Sequence, residues 1–124
     1  AAEKVVSKEA DLGIVLCGTG VGITASATKV AGTRTVLARD ISTVAYARKH
    51  LNANILGFGG RITGVGLMEN MVDTFLDTKF EPTNEDLEVI KKLDSIAVTR
   101  EDQFKNEHFF DEFLEKWDKG EYHD

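Results

Sequence analysis

The sequence is short of three things: cysteine, positive charge and long apolar runs. A single cysteine in 124 residues excludes an internal disulfide framework and suits a reducing compartment. With 15 basic residues against 21 acidic ones the net charge is −6, so no basic face stands ready to neutralise nucleic-acid phosphates. The longest apolar run, Leu12 to Cys17, falls far below the ~18–20 residues of a membrane span. No basic stretch followed by an apolar core and a cleavage site marks a secretory signal. The expected location is the cytoplasm. Proline occurs once, at Pro82, where an alternating pattern gives way to a remainder rich in Glu and Lys.

What is present is the composition of an ordinary globular protein, 42% hydrophobic and 29% charged, at a length that suits one domain. The chain opens on Ala1-Ala2-Glu3-Lys4, which with Val5, Val6 and Ala10 reads as the back half of a helix. An upstream segment missing from this sequence is the expectation. Leu12–Cys17 is a short apolar run ended by glycines, the pattern of a strand buried on both faces in a parallel sheet. Ile23–Val30 reads as a helix of small residues stopped by Gly32. Arg34–Ala38 is a second strand, and Asp40 is a good N-cap for a helix to Leu51 with Ile41, Val44, Ala45, Ala47 and Arg48 on one stripe. Asn54–Phe58 is a third strand. Thr63 can cap a helix to Thr78 that buries Leu67, Met71, Val72, Phe75 and Leu76.

Strand and helix thus alternate with short connections, which predicts an α/β fold with a parallel sheet. Two further helices are expected at Asn84–Asp94 and Asn106–Lys119, the second with an aromatic stripe of Phe109, Phe110, Phe113 and Trp117. Residues 1–124 are read as a single domain, of which 83–124 form a helical extension. Three parallel strands make a thin sheet whose edge at Leu12–Cys17 would be open and apolar. Further strands, from upstream or from another chain, are expected there.

The chemistry concentrates at Cys17-Gly18-Thr19-Gly20-Val21-Gly22, between a strand and a helix. Ligands of open parallel sheets bind beyond the carboxyl ends of the strands. Glycines there let backbone approach a ligand, and the first amides of the next helix favour a negative oxygen. The Gly-x-Gly-x-Gly spacing lacks the third glycine position of a dinucleotide fingerprint. A lone cysteine at a strand end is usually a small buried hydrophobe. Beside an oxyanion cradle and the Thr19 hydroxyl, it could instead abstract a proton α to a carbonyl. The rival is a nucleophilic thiol in acyl transfer, which needs an activating histidine from His50, His108 and His123. Arg39 and Arg61 each follow a strand and could face the same rim. Arg61 is favoured, because Gly59-Gly60 would let it approach a phosphate closely.

Four blocks in order carry a family resemblance: Cys17 to Ile23, Thr28 to Arg34, Ala47 to Asn54 and Gly57 to Arg61. They resemble the ribose-5-phosphate isomerase B family over about Asp11 to Phe80. The ending Phe113 to Asp124, with Leu51-Asn52-Ala53-Asn54, resembles the B-type subunits of galactose-6-phosphate isomerases in that family. The resemblance implies a Rossmann-like three-layer α/β/α sandwich, with five strands in the intact family against three here. It implies metal-free and cofactor-free isomerisation of an aldose phosphate to a ketose phosphate through a cis-enediolate, here D-galactose 6-phosphate to D-tagatose 6-phosphate. By position it makes Cys17 the proton-shuttling base, with Thr19 and the loop Gly18, Gly20, Val21 and Gly22 as enediolate stabilisers. His50 falls on a histidine of the pentose enzymes proposed to help open the sugar ring. Arg61 falls on a phosphate-contacting arginine, and Asn52 is assigned to the substrate site.

The resemblance has two gaps. A first strand carrying an Asp and a His of the sugar site is absent. Pro82 to Glu88 also stands where the pentose enzymes keep two phosphate-gripping arginines. An A-type subunit in a hetero-oligomer would supply those cations. The remaining alternatives are a ribose-5-phosphate isomerase and a non-catalytic sugar-phosphate-binding or scaffold subunit.

Overall fold

A computed structural model describes residues 1–96 of the chain. Strands β1 (Gly13–Cys17), β2 (Thr35–Leu37) and β3 (Ile55–Gly59) form one parallel sheet in the order β1-β3-β2. The helices among these residues are α1 (Ala2–Val6), α2 (Val21–Thr28), α3 (Ile41–Leu51), α4 (Val65–Asp77) and α5 (Asn84–Ile96). The helix expected at Asn106–Lys119 lies outside the described residues. No described helix is long and apolar enough to cross a membrane.

β3 takes the centre because it is buried at every position. Alternate side chains of a strand point to opposite faces. Ile55 meets Val5 of α1 and Ala27 of α2 on one face. Leu56 and Phe58 meet Val44 and Ala47 of α3 and Met71 and Phe75 of α4 on the other. The molecule is therefore a Rossmann-like α/β/α sandwich, with α5 laid on α3. The small residues of α2 allow a close seat on the sheet: a Cβ at Gly57 would run into Thr24 Oγ1.

Local chemistry sets the ends of the elements. Asp40 caps α3 by accepting the Thr43 amide at 2.7 Å, as its position predicts. Asn52 ends that helix in the left-handed region at φ 51°. Asn54 then ties two strand starts together, its Oδ1 accepting the Arg34 amide at 2.7 Å and its Nδ2 donating to Gly32 O at 3.1 Å.

Five expectations need correction. β1 is not buried on both faces: it sits at the sheet edge, paired only with β3 among the described residues, and Leu16 is 56% exposed. Gly32 does not stop α2, which ends at Thr28 with Lys29 as its cap; Gly32 turns the chain later, at φ 91°. Thr63 does not cap α4. Its amide donates to Gly59 O at 3.1 Å, folding it into the turn after β3, and Gly64 takes the cap position. Leu76 is 55% exposed, because it lies about 100° around the helix from the Phe75 stripe. Ile41 is 39% exposed, at the first turn of α3, and is not among the buried residues Val44 and Ala47.

Candidate active site

β1 delivers Cys17 at the carboxyl end of its strand, level with Gly59 of β3. The chain turns at once, and Gly20 caps α2 in the left-handed conformation, φ 83°. A Cβ there would lie 2.5 Å from the Phe58 carbonyl carbon, and a Cβ at Gly59 would lie 2.5 Å from Thr19 O. The two strand-end turns therefore interlock backbone against backbone, with no room for side chains between them. Two hydrogen bonds fasten them: Gly60 N–H donates to Cys17 O at 2.8 Å, and Arg61 N–H donates to Gly18 O at 3.0 Å. Arg61 is placed beside the Cys17 loop, whereas Arg39 follows β2, on the far side of β3.

The half-buried sulfur of Cys17 faces this turn, and the Gly20 amide donates to Sγ at 3.2 Å. The Val21 amide donates to Thr19 Oγ1 at 3.2 Å. The helical ladder begins with Thr24 N–H to Gly20 O at 3.2 Å, so the amides of Gly22 and Ile23 have no acceptor within α2. They sit at the positive end of the helix dipole. A Cβ built on Gly22 meets nothing within 4 Å, so the cradle is open on that side. A thiol, a hydroxyl and outward amides around an open space can hold an anionic oxygen while a proton moves at the neighbouring atom.

The structure thus brings together Cys17, Gly18, Thr19, Gly20, Val21, Gly22 and Arg61. It does not bring His50 or Asn52 to them. Both lie at the end of α3, which leads into the start of β3, whereas Cys17 stands level with the end of β3. A five-residue strand spans roughly 13 Å at about 3.3 Å per residue. Within one chain the two groups occupy opposite ends of the sheet. Asn52 is also engaged locally: its Oδ1 accepts from Arg48 at 3.2 Å and its carbonyl from Arg34 Nε at 3.1 Å.

His50 has surroundings that the sequence did not reveal. Its Nδ1 lies 2.7 Å from Asp86 Oδ2, and its ring packs against Tyr46 at 4.7 Å between centroids. Asp86 also accepts the Thr83 amide at 2.8 Å, and its own amide donates to Thr83 Oγ1 at 3.1 Å. The Thr83 amide first, and His50 second, hold the Asp86 carboxyl below its ordinary range. The Thr83-x-x-Asp86 spacing of a capping box was the available signal. Nearby, Arg34 pairs with Asp94 at 3.0 Å, a second polar tie between α5 and the body. No group of three His, Cys, Asp or Glu side chains among the described residues is placed to hold a metal ion.

Comparison with known proteins places this geometry. The family described as Ribose/Galactose Isomerase matches residues 1–93. The chain belongs to the ribose/galactose isomerase family. It is 59% identical over 122 residues to galactose-6-phosphate isomerase subunit LacB of Clostridium acetobutylicum, covering 98% of this chain and 70% of that subunit. It is 40% identical over 77 residues to ribose-5-phosphate isomerase B of Escherichia coli, covering 62% of this chain and 52% of that enzyme. The structure of type B ribose 5-phosphate isomerase from Trypanosoma cruzi superposes with a TM-score of 0.75 at 39% identity, covering 77% of this chain and 63% of that one. The chain therefore spans between about half and 70% of the length of these relatives.

Proposed function

We propose that this chain is part of the B-type subunit of a cytoplasmic galactose-6-phosphate isomerase, converting D-galactose 6-phosphate to D-tagatose 6-phosphate through a cis-enediolate. The observation that carries the reading is the Cys17 sulfur, turned toward the glycine loop and held at 3.2 Å by the Gly20 amide. The Cys17 thiolate takes the proton from C2 of the open-chain aldose. The C2–H electron pair forms the C1=C2 bond, and the carbonyl electrons pass to O1 as an enediolate. The amides of Gly22 and Ile23 and the Thr19 hydroxyl stabilise that oxygen. The thiol then returns the proton to C1, while the O2 hydroxyl proton passes to O1 and leaves a ketose. Arg61 binds the phosphate.

The opposite placement of Cys17 and His50 supports an assembly in which one sugar meets Cys17 of one subunit and His50 of another. The A-type subunit is the partner in this reading, and it supplies the cations that Pro82 to Glu88 does not. The role of the relative as a named subunit favours the same arrangement. The test is isomerisation in heavy water by the intact B-type subunit, alone and assembled with its A-type partner. Only the assembly should place deuterium at C2 of recovered aldose. Unlabelled sugar from the assembly would make this chain a binding or scaffold subunit, and equal activity of the subunit alone would refute the shared site.

A further inference from the structure

We propose that Asp86 is a positioning residue that fixes the tautomer of His50 and so makes its Nε2 the base that opens the sugar ring. The proposal rests on the isomerase reading above and adds to it a residue from the segment that follows Pro82. An ionised carboxylate can only accept hydrogen bonds. With Asp86 Oδ2 2.7 Å from Nδ1, that nitrogen must carry the proton. The neutral ring then keeps its lone pair on Nε2, where a hydroxyl proton can be taken.

The carboxylate is itself held in place. Thr83 N–H donates to the same oxygen at 2.8 Å, and the Asp86 amide returns a bond to Thr83 Oγ1 at 3.1 Å. The Glu81 amide donates to Lys49 O at 3.0 Å, which ties the incoming segment to the residue beside His50. Tyr46 covers one side of the ring. An acid, an oriented imidazole and an available second nitrogen are the parts of a general base backed by a carboxylate.

The step it serves is balanced without any other reactant. Nε2 takes the proton of the anomeric O1 hydroxyl as the C1–O5 bond breaks and the C1 carbonyl forms. The imidazolium then gives a proton to O5, and the open-chain aldose is ready for Cys17. At the position where the resemblance led to an expectation of phosphate-gripping cations, this chain instead supplies an anion to a histidine.

The competing explanation is that Asp86 serves only to start α5, and two variants separate the two roles. Asp86→Ala removes the one oxygen that faces both Nδ1 and the Thr83 amide, so nothing holds the ring proton on Nδ1 and it passes to Nε2. Thr83→Ala removes the helix cap and leaves the carboxylate beside His50. Nitrogen NMR of labelled histidine in the full chain, which holds three histidines, should report Nδ1–H for His50 in the parent and in Thr83→Ala, and Nε2–H in Asp86→Ala. In the assembled enzyme carrying Cys17→Ser, where isomerisation is blocked, catalysed exchange between the anomers of galactose 6-phosphate should continue. Adding Asp86→Ala should slow that exchange on the order of 10- to 100-fold, the usual effect of losing a partner that orients a histidine. With Cys17 intact, Asp86→Ala should also shrink the C2-deuterium isotope effect on kcat/KM toward one, because ring opening becomes limiting.

Unchanged anomer exchange and isotope effect in Asp86→Ala would overturn the proposal. Equal loss in Thr83→Ala would do so as well, by showing that docking of α5 is all that matters. If the parent assembly exchanges neither anomers nor C2 hydrogen, the isomerase reading itself falls, and this proposal falls with it.

Discussion

Exchanging glycine for alanine at two positions two residues apart should give opposite results. At Gly20 the backbone sits at φ 83°, and an added Cβ would lie 2.5 Å from the Phe58 carbonyl carbon, 2.7 Å from its oxygen and 2.8 Å from the Gly59 nitrogen. All three are main-chain atoms of the central strand and cannot rotate away. Left-handed backbone costs an L-residue about 1–2 kcal/mol, and overpacking adds about 1–3 kcal/mol. Gly20→Ala should therefore destabilise the full chain by about 2–5 kcal/mol, a large part of a typical domain's stability. Gly22 lies inside α2 with nothing within 4 Å of its added Cβ. Gly22→Ala should gain up to about 1 kcal/mol from helix propensity. Urea unfolding with unchanged slope reads both values. Activity should fall in both, since a Gly22 methyl would stand in the open space beside the cradle while its amide donor is kept. A Gly20→Ala protein as stable as its parent would refute the interlocked-turn geometry. A fully active Gly22→Ala enzyme would refute the cradle.

Two further outcomes can be checked on the same chain. Phe75→Ala, at a fully buried site facing Leu56 and Phe58, should cost about 3–5 kcal/mol. Leu76→Ala, more than half exposed, should stay within about 1 kcal/mol of the parent; urea midpoints that rank the pair the other way would contradict the assigned helix face. Asp40 is held below the ordinary carboxylate range by the Thr43 amide and then its hydroxyl, and Asp86 by the Thr83 amide and then His50. A folded value below the unfolded one gives stability that is complete above about pH 4 and is lost as pH falls through the folded value. The Asp40→Asn/Asp86→Asn double variant should therefore show a shallower fall of urea midpoint in acid; an identical slope would remove both carboxylates from the account.

Much of the fold was legible because its signals are local. The three strands lie within a residue or so of the apolar runs that announced them, and Asp40 caps α3 as its place before Ile41 suggested. Errors arose where tertiary context competes with local chemistry. Thr63 is an adequate cap by type, but the turn after β3 claims its amide, so the helix starts after Gly64. Leu76 is as apolar as Leu67, yet Leu67 packs against the core with Met71, Val72 and Phe75 while Leu76 is turned away from it. In the site, the Cys17 loop was readable because glycine spacing encodes its geometry directly. The separation of His50 from Cys17 was not, since it depends on α3 running back to the opposite end of a parallel sheet. The His50–Asp86 pair spans 36 positions and depends on where α5 docks, which no window of sequence contains.

The measurement that bears most directly on the central claim is exchange of the C2 hydrogen of galactose 6-phosphate with deuterated solvent by the assembled enzyme and its Cys17→Ser variant. Removal of the thiolate base should slow exchange by about 10²–10⁴-fold, while sugar-phosphate affinity and the urea midpoint stay near those of the parent. Exchange at the parental rate in the serine variant would show that the proton leaves carbon by another group, and the role assigned to Cys17 would be wrong.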